Sequence, residues 1–203
     1  TPGISPPSAR SSGIGLALMS GGLEPQRLRR VELTGQKLGS TLRTGPFARG
    51  RGPHRRVGNI VLVASQFNPS ITQALVDGAR RTLAHHGVVA SRIRRVWVPG
   101  AFELPLAVLT IAKRDKPQAV IALGCVIKGE TPQYAAIGQA VAEGLMQVAV
   151  MTEIPVTCGV IVADSLAQAK ARAGGRVGNR GAEAALAALA MVDLLRARVR
   201  RSS

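Results

Sequence analysis

The chain has 203 residues, 46% apolar and only 2% aromatic, with a net charge of +16. That length holds one domain with a real core, which must be built from Ala, Val, Leu and Ile. No apolar run approaches the ~20 residues of a membrane span. Cys125 and Cys158, each in an apolar run, form no disulfide framework and fit a reducing compartment.

The charge is uneven. Residues 1–56 hold ten Lys/Arg against two acids, and six of the twelve prolines. Rich in Pro, Gly, Ser and Arg and without sustained periodicity, this segment reads as a basic extension. It is disordered, or it is a transit peptide placing the chain inside an organelle rather than in the cytoplasm. It lacks interleaved aromatics, so any nucleic-acid binding is electrostatic and nonspecific.

From residue 57 to 203 the pattern is regular. "NIVLVAS" (59–65) is a short β-branched run, expected as a buried parallel strand. Ile71, Leu75, Ala79 and Leu83 then fall on one helical face, with Gly87 as the stop. "RIRRVWV" (92–98) predicts a more exposed strand. A helix follows with Pro105 in its first turn, where a missing N–H costs little. "QAVIALGCVI" (118–127) is a third strand. "YAAIGQAVAEGLMQVAVMT" is a helix apolar almost all round, expected to be buried on more than one side. "PVTCGVIV" (155–162) is a fourth strand, and two helices close the chain, the first with Asp164 as N-cap. This alternation predicts an α/β sandwich: a four-stranded parallel sheet with helices on both faces.

In such folds ligands bind at the C-terminal ends of the strands. The loops there carry Gln66-Phe67-Asn68, then Pro99-Gly100-Ala101-Phe102-Glu103, then Lys128-Gly129-Glu130-Thr131. Phe67 and Phe102 are two of only three phenylalanines. Core packing is the ordinary use of a Phe. Beside Asn68 and Glu103, two of them suit a flat polar heterocycle, with a stacking face and groups that read ring N–H and C=O. Backbone N–H groups of Gly129 to Thr131 at a helix N-terminus suit a phosphate, with Arg172 completing a clamp. Helix capping by Thr131 is the alternative. Gly175, Gly178 and Gly181 follow a helix, the wrong context for a dinucleotide fingerprint. His85-His86 lacks partners at metal-ligand spacing, so no metal is expected.

The motifs "ASQFN", "VPGAFELP", "ALGCVIKGET", "PVTCGVI", "ARAGG" and "GNRGAEAA" stand in this order between about Asn59 and Leu195. In this region the chain resembles the lumazine synthases of riboflavin biosynthesis. The resemblance implies a flavodoxin-like fold assembled as pentamers or 60-subunit shells, with riboflavin synthase as a further partner. It also implies the condensation of 5-amino-6-ribitylamino-uracil with 3,4-dihydroxy-2-butanone 4-phosphate, without metal or organic cofactor. By position, Phe67, Asn68, Ala101, Phe102, Glu103, Val126 and Ile127 hold the pyrimidine and its ribityl chain. Gly129, Glu130 and Thr131 hold the phosphate, with Arg172 reaching in from a neighbouring subunit.

Three positions depart from the family pattern. Gln133 stands where the family has its catalytic histidine, Cys158 where it has a Phe of the pocket wall, and Arg180 where it has the Lys of "GNKG". Gln133 and Arg180 thus occupy the catalytic positions. Glutamine cannot titrate, so a catalytically impaired shell or binding protein is the alternative to a working enzyme.

Overall fold

The computed structural model describes residues 58–199. The expected basic extension, residues 1–56, lies outside them. Four strands, β1 (Ile60–Ser65), β2 (Ile93–Val98), β3 (Ala119–Ile127) and β4 (Val156–Ala163), form one parallel sheet in the order β2-β1-β3-β4. Five helices accompany them: α1 (Pro69–His85), α2 (Leu104–Asp115), α3 (Gln133–Thr152), α4 (Leu166–Arg172) and α5 (Arg180–Val199). This is the expected flavodoxin-like α/β sandwich.

The side chains of the central strands alternate between two apolar clusters, as a pleated strand requires. Ile60, Leu62, Ala64, Ile121 and Leu123 pack with Leu75, Leu83, Ala185 and Leu189 under α1 and α5. Val61, Val63, Val120 and Ala122 pack with Leu104, Val108, Val141 and Leu145 under α2 and α3. Both faces are covered, so β1 is apolar at consecutive positions rather than alternating. The expected stripe on α1 is fully buried: Ile71, Leu75, Ala79 and Leu83. The edge strand β2 carries exposed charge that discourages edge pairing. Arg94 is paired with Asp115, and the Arg95 guanidinium lies 5.2 Å from the Trp97 ring centre.

Of three sequence expectations, the first is met on one side of a single chain and the other two are corrected. First, α3 buries a single stripe, Gly138, Val141, Leu145 and Val148, while Met146, Val150 and Met151 stay exposed. Its apolar girth exceeds what one chain covers. Second, α3 also has the length and apolar composition of a membrane span, the one such helix among the described residues. Gln139, Glu143 and Gln147 interrupt it, and its buried stripe lies on the sheet, as for a layer helix. Third, Ser165 rather than Asp164 caps α4: its hydroxyl accepts from the Gln168 N–H at 3.3 Å. Ser165 has the extended backbone that an N-cap needs.

A small antiparallel pair, β5 (Ala173–Gly175) and β6 (Gly178–Asn179), joins α4 to α5. There Asn179 fastens α1 to α5. Its amide donates to the carbonyls of Ala74 (2.9 Å) and Ala173 (3.1 Å), and its oxygen accepts from Ala182 N at 3.0 Å. At Gly181 a Cβ would stand 2.1 Å from the Leu75 carbonyl oxygen, so only glycine permits this helix approach. The glycine and asparagine spacing of "GNRG" is thus a packing device.

Candidate active site

β1, β3 and the turn after β2 end on the same side of the sheet, and each end feeds one cavity wall. Beyond β1 the chain turns at Asn68, held left-handed at φ 55° and ψ 57° as N-cap of α1. Asparagine tolerates that conformation better than most residues. Its side-chain amide donates to the Cys125 carbonyl at 3.0 Å, tying the β1 turn to the end of β3. Beyond β2, the Glu103 carboxylate accepts the Gly100 N–H at 2.7 Å and closes the turn into α2. Beyond β3, Lys128 N donates to Ala163 O at 2.8 Å, so the 129–131 loop departs from a fixed point.

The result is a cavity of about 380 Å³, within the range of small-molecule sites. It is lined by Phe67, Asn68, Ala101, Phe102, Glu103, Val126, Ile127, Gly129, Thr131 and Gln133, all singled out from sequence, and also by Gly100, Cys125, Tyr134 and Ile137. The two phenylalanines are 71% and 63% exposed, which decides against core packing. A large apolar ring held in water at a cavity wall offers a stacking face.

The N-cap of α3 is Pro132, with no side-chain cap bond, so Thr131 does not cap the helix. The loop N–H groups of Gly129 to Thr131 precede the helix proper. Gln133, Tyr134 and Ile137 form the inward side of its first turn. Tyr134 and Ile137 were legible only as the i+1 and i+4 neighbours of Gln133 on that turn.

The remaining expected site residues lie elsewhere in the same chain. Glu130 is exposed on the loop and does not line the cavity. Cys158 is half-buried in the middle of β4, paired across to Ala122 and packed with the α2/α3 cluster. Arg172 and Arg180 converge on one carboxylate: Glu183 Oε2 is 3.0 Å from Arg172 Nη2 and 3.1 Å from Arg180 Nη1. His85 and His86 stand at the far end of α1, about 25 Å from the cavity end by helix rise.

Two groups on the cavity are shifted in their proton affinity. Burial pushes the Cys125 thiol up to about 11. The Tyr134 hydroxyl is raised above its ordinary value, first because it donates to Asp164 and then by partial desolvation and the Asp164 charge.

Residues 58–196 match the family model described as 6,7-dimethyl-8-ribityllumazine synthase. The chain is 47% identical over 135 residues to the 6,7-dimethyl-8-ribityllumazine synthase of Xanthomonas campestris pv. campestris (strain B100), a span of 66% of this chain and 88% of that protein. Its identity to the synthase of the same name from Gemmatimonas aurantiaca is 46% over 144 residues, 71% of this chain and 86% of that one. To that of Leuconostoc mesenteroides it is 41% over 135 residues, 66% and 86% of the two chains.

Proposed function

The chain belongs to the 6,7-dimethyl-8-ribityllumazine synthase family, transferases of riboflavin biosynthesis, and from that premise we propose the reaction it performs. It joins 5-amino-6-ribitylamino-uracil to 3,4-dihydroxy-2-butanone 4-phosphate, forms 6,7-dimethyl-8-ribityllumazine, and releases phosphate and water. One observation carries this reading. Two exposed phenyl rings, Asn68 and Glu103 share a single cavity with Gly129 and Thr131.

In this reading Phe67 stacks on the pyrimidine, and Asn68 and Glu103 meet its polar edge. Ala101, Phe102, Val126 and Ile127 enclose the ring and the ribityl chain. The N–H groups of Gly129, Glu130 and Thr131 receive the phosphate. Arg172, Arg180 and Cys158 serve the cavity of a neighbouring copy. Two observations support that assignment: these side chains lie outside the cavity of their own chain, and α3 exposes Met146, Val150 and Met151. The working unit is therefore a homo-oligomer.

A second reading rests on Gln133. It lines the cavity at the position of the family's histidine and cannot exchange a proton. A chain of this kind keeps the pocket and the assembly while turning over slowly or not at all. Steady-state assay of the full chain with both substrates separates the readings. Formation of the lumazine chromophore with multiple turnovers supports the first. A folded chain that binds the pyrimidine and forms no product supports the second.

A further inference from the structure

Three titratable side chains line the cavity: Glu103, Cys125 and Tyr134. The Glu103 carboxylate holds the Gly100 turn at 2.7 Å. The Cys125 side chain is buried within the sheet. Tyr134 follows Gln133 directly in the first turn of α3, and its hydroxyl donates to Asp164 Oδ1 at 3.1 Å. Asp164 is free for this because Ser165 caps α4 instead. The Asp164 main chain is fixed in turn, its N–H donating to Gln168 Oε1 at 2.8 Å. A phenol on the cavity wall thus leads to a carboxylate 30 residues away, on the loop after β4.

We propose that Tyr134, backed by Asp164, moves the protons of the condensation that Gln133 cannot move. The inference rests on the reaction proposed above. Imine formation carries two protons from one nitrogen to one oxygen, which leaves as water. In the first transfer the C–N bond forms and the carbonyl π pair goes onto oxygen. A proton of the attacking amine passes to Tyr134 Oη while the phenol proton passes to Asp164 Oδ1. The relay then returns that proton to the alkoxide. In the second, the remaining N–H proton takes the same route to the hydroxyl. The C–O bond breaks with its pair on oxygen, water departs, and the nitrogen pair closes the C=N bond. Tyr134 and Asp164 end as they began, and no further acid or redox partner is needed. Tyr134 is the catalytic residue of the pair; Asp164 acts through it. The hydrogen bond that keeps the phenol protonated also keeps a proton ready for transfer.

The test uses the full chain and two near-isosteric variants, Tyr134→Phe and Asp164→Asn, with kcat and KM measured for both substrates. Loss of a positioned proton-transfer group lowers rate about 10²- to 10⁴-fold. Each variant is expected to lose kcat on that scale while KM for both substrates changes less than about threefold. The double variant is expected to be no slower than the slower single one, because the two groups act as a unit. A folded Tyr134→Phe or Asp164→Asn chain with wild-type kcat overturns the proposal and leaves the reaction standing. A wild-type chain that makes no lumazine overturns the reaction and the relay together. Should Tyr134→Phe fail to fold, Asp164→Asn on its exposed loop decides alone.

Discussion

Asn68 and Cys125 are joined by a single 3.0 Å hydrogen bond from side-chain amide to main-chain carbonyl, and that bond closes the floor of the cavity. Asn68 does two things at once: it adopts a left-handed backbone and supplies the donor. Substitution separates them. Asn68→Gly keeps the conformation and loses the bond, at a cost of about 1 kcal/mol. Asn68→Ala loses the bond and also strains the backbone, adding roughly 1–2 kcal/mol. Urea unfolding of both variants measures the gap. Equal stabilities would show that the left-handed turn carries no strain for alanine.

Gln133 leads to a gain-of-function expectation. A histidine at this position returns a group that exchanges protons near neutral pH on the cavity wall. Gln133→His is expected to raise kcat at least several-fold, with a new pH dependence between about 6 and 7. An unchanged rate with an unchanged profile would mean that a titrating group at this position adds nothing to the proton transfer proposed for the Tyr134–Asp164 pair.

Much of this arrangement is written in local pattern. β1 is legible because a strand covered on both faces must be apolar throughout, and α1 because Ile71, Leu75, Ala79 and Leu83 recur at helical spacing. The three loops of the cavity follow from strand order alone. What is not legible is decided at a distance. Asp164 and Ser165 are equally good caps by type. Ser165 takes the role through its extended backbone, and Asp164 is taken up by a tyrosine 30 residues earlier. The β5–β6 pair escapes pattern reading because it is largely glycine, with no apolar alternation to detect. That Arg172 and Arg180 share Glu183 depends on the folding back of the β5–β6 turn, which spacing does not reveal.

Burial of Cys125 has a consequence at alkaline pH. Its thiol is raised from 9.0 to about 11 in the folded chain. A raised pKa means that the folded state holds its proton more tightly than the unfolded state. The associated stability is fully present below pH 9 and is lost as pH rises towards 11, by roughly 2–3 kcal/mol. Cys125→Ala removes this contribution. Comparing the two chains by denaturant titration at pH 8 and pH 10.5 isolates it. Parallel losses in both would assign the alkaline weakening to other groups.

Arg172 gives the test of a shared site. If it serves a neighbour's phosphate, Arg172→Ala raises KM for the phosphorylated substrate about tenfold or more, as loss of a charge-assisted pair implies. KM for the pyrimidine then changes little. Mixing is the sharper measurement. Chains carrying Arg172→Ala and chains carrying Phe67→Ala, each impaired alone, are co-refolded. A composite site regains activity in the mixture because some interfaces combine the two intact halves. Activity that never exceeds the mean of the two separate variants would place Arg172 outside any shared site.

Assembly is the physical condition for that sharing. On α3, Met146, Val150 and Met151 are 63%, 75% and 63% exposed, and Leu106 on the adjoining α2 is 69% exposed. Apolar side chains gathered on neighbouring helices form the kind of patch that marks a subunit contact. Covering one such side chain is worth about 1.5–3 kcal/mol, so several together offset much of the entropy of association. We expect a pentamer at least, with a 60-subunit shell as the larger form, read by mass photometry of the full chain at micromolar concentration. Val150→Glu, which places a charge in the patch, is expected to shift the population to monomers without unfolding them, since Val150 makes no part of the buried stripe. Turnover should fall with loss of assembly, because within one chain Arg172 does not line the cavity of Phe67 and Thr131 and is held by Glu183 instead. A wild-type chain that runs as a monomer or dimer and still forms lumazine would refute the shared site and return the whole reaction to one cavity.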